Sequence, residues 1–386
     1  MNILSQDSKI CFIQTNAVWG ACEEYLVFLS NGLTDQGWDV TLLYPESPVL
    51  SPMIEQLNPN IRLFAVPPGY LGSLSNLLRL IKVLRKIRPD IVHCNDPGVL
   101  AMLSSNLSGI LHRVVTFHTP SQVFRYRFHA KVLQRWAMKL AWNFIVLSKS
   151  NQLVLAHRYA ISDDKTHVVE HGLDSKKFDI PDTREQLRQQ LGIRSECVLL
   201  GCVARLSAQK NHALLLDSYS MLSDELRARS HLLLVGEGEL REELEAQVKR
   251  LGLQKHVTFS GYRKDIPQLL QAMDIFLLSS DFEGLPFAML EAMAMGLPTV
   301  ATAVPGNKDA LIHRKTGSLV PPNQASAFKQ AIADLIENPN QRQQMGAAAR
   351  ERFLAHYTQD RMIDDVGKLY TKLLTCNTDN KDSQTL

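Results

Sequence analysis

The sequence has no long apolar run. No stretch reaches the roughly 18 uninterrupted apolar residues that would span a bilayer, and the first apolar run, residues 10–13, is too short for the core of a secretory signal. We therefore expect the chain to stay in the cytoplasm.

Cysteine and one-sided charge are also scarce. The six cysteines form neither a C-x-x-C pair nor a Cys/His cluster at zinc spacing, which argues against a disulfide framework or a structural metal. We expect no cofactor. The formal net charge is only +3, and basic residues do not alternate with aromatic ones as on an RNA-binding sheet, so we expect no nucleic-acid partner. Residues 1–172 nevertheless hold 16 Lys and Arg against 12 Asp and Glu.

Short apolar runs rich in β-branched residues alternate with longer helical patterns, which is typical of buried parallel strands with crossover helices. The clearest helix is 74–87, which ends before Pro89. Strands are predicted at 10–14, 40–44, 61–66, 91–94, 114–117 and 143–147. The cycle restarts after residue 195, with strands at 198–203, 231–235, 257–260, 275–279 and 299–301. This pattern predicts an α/β protein of two Rossmann-like, doubly wound domains.

The polar stretch 173–194, which contains Pro181, is predicted to be the hinge. We place the first domain at 1–176 and the second at 177–360. A C-terminal helix at 361–376 is expected to pack back on the first domain, ahead of a polar tail at 377–386. Ligands bind outside the carboxyl ends of the strands in such sheets, so two facing domains predict a cleft.

The segment from Ser280 to Ala294 places two carboxylates, Glu283 and Glu291, eight positions apart across a loop and a helix start. Pro286 suits the first turn of that helix. Free amides at a helix start favour an anionic or hydroxylated ligand, and a carboxylate accepts two hydroxyl donors at once, as a sugar or a ribose offers. The competing interpretation is a solvated helix with a capping acid.

This E-x7-E spacing resembles the signature of retaining glycosyltransferases of family four, and the similarity extends along nearly the whole chain. The resemblance implies the two-domain GT-B fold, a nucleotide diphosphate sugar as donor, and retention of anomeric configuration. It assigns the transferred sugar to Glu283 and the nucleotide ribose to Glu291. Substrate contacts are also expected at Gly284, Leu285 and Pro286.

Arg205 and Lys210 follow the first strand of the second half. Two cations in a dry cleft stabilise a departing diphosphate more in the transition state than in the ground state. Taken alone, both are more often surface charges, but residues 203–211 resemble the phosphate clamp of the family. Ala204 and Asn211 stand where the family usually has glycine.

Further binding residues rest on weaker motifs. Gly236 lies in a strand, glycine turn and helix that also fits a plain tight turn but resembles the family's element near the nucleotide. Arg263 follows a strand that resembles the loop holding the base. No Asp-x-Asp pair occurs, so we expect metal-independent transfer, with the cations and helix amides replacing the metal.

In the first half, Gly20, Ala21 and Glu23 resemble the family's G-G-x-E loop near the donor phosphate and acceptor, with a structural turn as the alternative. Alanine replaces the second glycine, which would be strained at positive φ. His118 ends a strand and is expected to contact the donor sugar, unless it is a structural histidine. Gly172 lies in a turn that resembles the family's N-G-V-D element, with His171 replacing asparagine. This turn is expected to be interdomain architecture more than chemistry, with Gly172 lining the cleft.

A basic helix is predicted at 123–142, where Arg127, Lys131, Arg135 and Lys139 recur beside an apolar ladder. It suits an anionic membrane surface, although such faces are usually solvated. Membrane contact would favour a lipid-linked acceptor and a peripheral location on the inner face of the cytoplasmic membrane.

The sequence therefore predicts a retaining hexosyltransferase that uses a nucleotide diphosphate sugar, with UDP favoured, and a glycan or lipid-linked acceptor. The product would be a cell-envelope polysaccharide or lipopolysaccharide. A nucleotide-sugar epimerase and a non-catalytic nucleotide-sugar-binding subunit are the alternatives. Front-face substitution is favoured over double displacement.

Overall fold

The computed structural model describes residues 8–15, 17, 20–66, 74–118, 136, 138–141 and 143–375. The chain divides into two compact units. Unit 1 comprises residues 1–172 and 359–386, and unit 2 comprises residues 173–358.

Unit 1 is built on a parallel sheet of seven strands in the order β3-β2-β1-β4-β5-β6-β7. The strands are β1 Lys9–Ile13, β2 Asp39–Pro45, β3 Arg62–Val66, β4 Ile91–Cys94, β5 His112–Phe117, β6 Asn143–Val146 and β7 Thr166–Val168. The helices are α1 Ala21–Asp35, α2 Ser51–Glu55, α3 Leu74–Ile87, α4 Val99–Leu107 and α5 Lys149–Tyr159. Every residue of β4, β5 and β6 is buried, as expected for a parallel sheet covered on both faces.

Unit 2 has a parallel sheet of six strands in the order β10-β9-β8-β11-β12-β13. The strands are β8 Val198–Val203, β9 Ser230–Val235, β10 Val257–Gly261, β11 Ile275–Leu278, β12 Thr299–Thr302 and β13 Gly317–Val320. The helices are α6 Arg184–Gln190, α7 His212–Ser220, α8 Asp224–Ala228, α9 Arg241–Arg250, α10 Ile266–Ala272, α11 Phe287–Ala294, α12 Pro305–Ala310, α13 Ala325–Glu337 and α14 Pro339–His356.

The eleven predicted strands are confirmed to within two residues at each end, and the helix predicted at 74–87 is confirmed as α3. Two edge strands, β7 and β13, were not predicted. Each has only three or four residues and is not fully buried, so neither shows an apolar run.

The stretch 173–194, predicted to be the hinge, starts at the boundary between the two units. It belongs to unit 2, where Leu173, Phe178 and Leu187 are buried in the core. Arg188 is 2% exposed, and its guanidinium donates to Asp274 and to the carbonyl oxygens of neighbouring loops. Arg188, a polar residue of this stretch, thus supplies hydrogen bonds to buried carbonyl and carboxylate oxygens.

The last described helix, α15 Gln359–Thr375, packs on α1 of unit 1. Met362, Ile363, Val366 and Tyr370 are buried there. Gly32 makes the close approach possible, because a Cβ at that position would lie 2.2 Å from Ile363 Cδ1.

Candidate active site

The strand order reverses once in each sheet, between β1 and β4 in unit 1 and between β8 and β11 in unit 2. Parallel sheets bind ligands outside the carboxyl ends of strands at such reversals. Most of the predicted site residues follow these strand ends or those of their neighbours.

Lys210 and Glu283 meet at the reversal in unit 2. Lys210 ends a short 3₁₀ turn after β8, and Glu283 lies in the loop between β11 and α11. The Lys210 Nζ lies 2.6 Å from Glu283 Oε1, and the Ser280 hydroxyl donates to the same oxygen at 2.6 Å. The two side chains are only 21% and 6% exposed, so the pair is largely withdrawn from water.

Backbone contacts hold the loops of this pair together. The Ser279 hydroxyl lies 2.9 Å from the Lys210 carbonyl oxygen and 2.8 Å from that of Asn211. Asn211 adopts φ 45° and ψ 51°, and its side chain accepts from Leu214 N at the start of α7. Asparagine tolerates this left-handed conformation, which explains how it replaces the expected glycine.

Thr302 at the end of the neighbouring strand β12 and Gly306 in the following helix α12 support the Glu283 loop. A Cβ on Gly306 would lie 2.1 Å from the Gly284 carbonyl oxygen, so only glycine fits here. The Thr302 hydroxyl donates to the Ser280 carbonyl oxygen at 2.5 Å. Sequence reasoning did not select these residues, because a glycine within a short helix carries no chemical signal.

The helix after Glu283 is short. Pro286 precedes α11 as its N-cap, which corrects the prediction that it lies within the first turn. Leu285 is buried, Gly284 is half-buried, and Glu291 is the fifth residue of the helix and half-buried. Thus Glu283 lies on the loop and Glu291 on the helix, as predicted.

Arg205, Gly236 and Arg263 line one open pocket of about 580 Å³. Gly236 has φ +137°, and a Cβ there would lie 2.1 Å from the Ala204 carbonyl oxygen, so glycine is required on two grounds. The Arg205 side chain is 73% exposed and lies 3.0 Å from Glu239 Oε2.

The Arg263 guanidinium donates to both carboxylate oxygens of Asp265. This ion pair raises the pKa of Arg263 and lowers the pKa of Asp265. Asp265 therefore holds the arginine at the rim of the pocket.

In unit 1, a hydrogen-bonded chain connects Glu23 to His118. Gln14 Nε2 donates to Glu23 Oε1 at 2.8 Å, and Asn95 Nδ2 donates to Gln14 Oε1 at 2.9 Å. His118 Nε2 lies 3.2 Å from Asn95 Oδ1. All four side chains are buried, so this chain fixes their positions.

Burial sets the protonation of this cluster. It lowers the pKa of His118 to about 4 and raises the pKa of Glu23. It also raises the pKa of Asp96 to about 6, against the opposing effect of the Thr15 hydroxyl, which donates to that carboxylate. At neutral pH His118 is an uncharged imidazole.

Ala21 does not have the positive φ at which alanine would be strained. Ala21 is the first residue of α1, where helical backbone suits alanine. Gly20 has the extended φ of −180°, and its carbonyl oxygen accepts from Glu23 N and Glu24 N. Gly172 is buried beside His171, and the ring of His171 contacts that of Tyr25 at 5.1 Å.

Sequence reasoning missed Gln14, Thr15, Asn95 and Asp96. Asn95 and Asp96 directly follow an apolar run, the same placement that selected His118. A polar pair directly after a buried strand is therefore the sequence signal that identifies these two residues.

The described helices include none that is long and apolar enough to cross a membrane. In the described parts of the chain, no three His, Cys, Asp or Glu side chains converge as a metal site. The basic helix predicted at 123–142 falls outside the described residues except for 136 and 138–141, so its cations Arg127, Lys131 and Arg135 have no structural account.

Sequence comparison with protein families gives two matches. Residues 183–352 match the family described as glycosyl transferases group 1, and residues 22–177 match glycosyltransferase family 4.

Curated relatives span most of the chain. Mannosylfructose-phosphate synthase of Agrobacterium fabrum is 33% identical over 72% of this chain and 70% of its own length. The Escherichia coli UDP-Gal:alpha-D-GlcNAc-diphosphoundecaprenol alpha-1,3-galactosyltransferase is 26% identical over 89% of this chain and 91% of its own.

Solved structures share the architecture. Anabaena HepE in complex with UDP superposes with a TM-score of 0.83 at 21% identity, covering 94% of this chain and 100% of that one. The lipopolysaccharide outer core galactosyltransferase WaaB gives a TM-score of 0.74 at 17% identity over 94% and 99%. At these identities the likeness establishes the fold.

Proposed function

This chain belongs to the group 1 glycosyltransferases and has their GT-B fold, and we propose that it is a retaining hexosyltransferase that uses a nucleotide diphosphate sugar. UDP is the favoured nucleotide. The proposed acceptor is a glycan or lipid-linked glycan in the synthesis of a cell-envelope polysaccharide or lipopolysaccharide.

The contact between Lys210 and Glu283 carries this proposal. A lysine that faces a diphosphate and a glutamate that faces the transferred sugar must lie side by side, because the sugar is bonded to the phosphate. Their 2.6 Å contact, withdrawn from water, meets that requirement. Charge stabilisation is strongest in such a water-poor site.

The neighbouring residues take the roles that family resemblance assigns to them. Arg205 supplies a second cation for the diphosphate, and Glu291 binds the nucleotide ribose. Gly236 and Arg263 bind the nucleotide at the pocket that they line.

We propose front-face substitution. The bond from the anomeric carbon to the diphosphate oxygen breaks as the acceptor oxygen bonds to the same face of that carbon. The departing phosphate oxygen takes the acceptor's hydroxyl proton, so the products are a glycoside and a protonated nucleoside diphosphate. Lys210 and Arg205 stabilise the charge that develops on the leaving group.

Two relatives support the choice of nucleotide and acceptor. The name of the Escherichia coli relative specifies UDP-Gal and a diphosphoundecaprenol-linked acceptor, and HepE was solved with UDP and with UDP-glucose. The name of the Escherichia coli relative also favours a lipid-linked acceptor for this chain.

A thermal-shift series with UDP, GDP and ADP and their sugars tests the donor. We expect a UDP-sugar to raise the melting temperature most, because a ligand that binds only the folded state stabilises it by mass action. The proposal would be contradicted if no nucleotide sugar shifted the melting temperature and if no sugar were transferred to an undecaprenyl diphosphate-linked acceptor.

Metal independence needs its own measurement. We expect transfer at an unchanged rate after treatment with EDTA, because cationic side chains bind the diphosphate. A loss of activity that Mg²⁺ or Mn²⁺ restores would show that the clamp is incomplete without metal.

A further inference from the structure

One face of unit 1, formed by α3 and α4, combines cations with exposed leucines. The cations are Arg79, Lys82, Arg85, Lys86 and Arg88, and all five side chains are exposed. Leu78, Leu107 and Leu111 are 60%, 46% and 51% exposed beside them. We call this set of eight residues the α3–α4 face.

Helical spacing gathers these side chains into one stripe. At 3.6 residues per turn, positions 78, 79, 82, 85 and 86 fall within roughly 120° of the α3 surface. The opposite side buries Leu77, Leu80 and Leu84 against the sheet. The two helices pack side by side, and Arg85 donates to the Leu107 carbonyl oxygen at 3.1 Å.

The charge of this face is not compensated within the described residues, where none of its five cations forms an ion pair. Residues 56–162 contain 14 Lys and Arg but only two acids, Asp90 and Asp96. Asp96 is buried, and Asp90 accepts a hydrogen bond from Lys9 N.

An open pocket of about 560 Å³ lies at the C-terminal end of α3. Arg85 and Arg88 line it together with Leu111. Asp90 lines it as well, so the two arginines outnumber one carboxylate around the space that an anionic headgroup would take.

We propose that the α3–α4 face binds the surface of an anionic lipid bilayer. Leucines between long basic side chains suit the interface, where the apolar groups enter the acyl boundary and the cations remain with lipid phosphates. Charge complementarity with an acidic protein would account for the cations but leave three large leucines exposed to water. This surface is additional to the proposed reaction and does not depend on it.

Flotation with vesicles tests the proposal on the full chain. We expect binding to vesicles of equal parts phosphatidylglycerol and phosphatidylcholine at low salt, and none to phosphatidylcholine alone. The triple variant Arg79→Glu, Lys82→Glu and Lys86→Glu should have a partition coefficient at least about a hundredfold lower. Each basic side chain near an anionic membrane surface adds to the binding free energy, and three of them are lost here. Leu78→Ser together with Leu111→Ser should also weaken binding. Because this loss is apolar, raising the salt concentration should not produce the same effect in the unmodified protein.

The control reverses Lys249, Arg250 and Lys255, three exposed cations of unit 2, which gives the same change in net charge. It should retain binding. Equal retention by the α3 variant would overturn the proposal, as would loss of binding only when Arg127, Lys131, Arg135 and Lys139 of the predicted helix 123–142 are reversed. The α3 variant should keep its thermal shift with the nucleotide sugar, which separates this result from a failure of the proposed function.

Discussion

The candidate residues of the two units differ in the partners that hold them. In unit 2, Arg205 and Lys210 each form an ion pair with a glutamate, and this pair is exposed at Arg205 and largely withdrawn from water at Lys210. In unit 1, Glu23 and His118 are buried and connected through the amides of Gln14 and Asn95. The cations of unit 2 are thus held by ion pairs, whereas the polar groups of unit 1 are held by hydrogen bonds to uncharged amides.

This comparison shows that charged side chains and buried amides contribute differently to a site. A charge at a strand end contributes electrostatic stabilisation wherever the ligand places its phosphates. A buried amide chain contributes position, because each member depends on its neighbours. We therefore expect the two units to respond differently to substitution.

The largest effect is expected at Lys210. Lys210→Ala should lower kcat about 10²- to 10³-fold, as loss of one preorganised charge-stabilising group does. The measurement is sugar transfer from the donor at saturation. Lys255→Ala, which removes an exposed lysine of the same unit, is the control. Unchanged turnover by the Lys210 variant would remove it from the diphosphate site.

Glycine substitutions should separate the units next. Gly306→Ala places a Cβ against the Gly284 carbonyl oxygen and should cost about 1–3 kcal/mol of stability through overpacking. Gly20 in unit 1 has an extended backbone that alanine can adopt. In Gly20→Ala the new Cβ would lie 3.7 Å from Glu23 Oε2. It should change stability by less than about 0.5 kcal/mol. Equal losses in urea unfolding would show that the two loops are equally crowded.

Acid should test the buried imidazole of His171 in unit 1. Burial lowers the pKa of His171 to about 3, so between pH 6.5 and 3 the unfolded chain binds a proton that the folded chain does not. Stability is therefore lost as pH falls through this window. His171→Asn should reduce the slope of unfolding free energy against pH by about 1.4 kcal/mol per pH unit near pH 5.

Urea unfolding at pH 7, 6 and 5 measures that slope. The exposed His157→Asn variant is the control, and its slope should match that of the wild type. If the two variants behave alike, His171 is not held neutral by its surroundings.

The smallest effect is expected at Glu239. Its pair with Arg205 is exposed, and such pairs contribute about 0–1 kcal/mol. Glu239→Gln should free the guanidinium and lower the donor KM by up to about fivefold. A higher KM would instead mean that Glu239 positions Arg205 for the diphosphate.

Prediction from sequence was best where a local pattern was sufficient. Buried strands and α3 are visible as apolar runs, and the E-x7-E spacing located Glu283 and Glu291 correctly on loop and helix. The short edge strands β7 and β13 carry too few apolar residues to be recognised.

The network of unit 1 depends on a register that no local pattern contains. Ile13 pairs with Cys94, which places Gln14 beside Asn95 although 81 residues separate them. That β4 lies next to β1 is determined by the order of all seven strands in the sheet. Uncharged amides gave no signal of their own, so their role emerged only from the structure.

The position of α15 has a consequence for synthesis. Unit 2 is contiguous in the chain, whereas unit 1 combines residues that precede unit 2 with residues 359–375, which are synthesised after it. Because domains generally fold as units during translation, the unit that is made first is completed after the one made second. A nascent chain that stalls before residue 359 presents the uncovered apolar side of α1, the kind of surface that chaperones recognise.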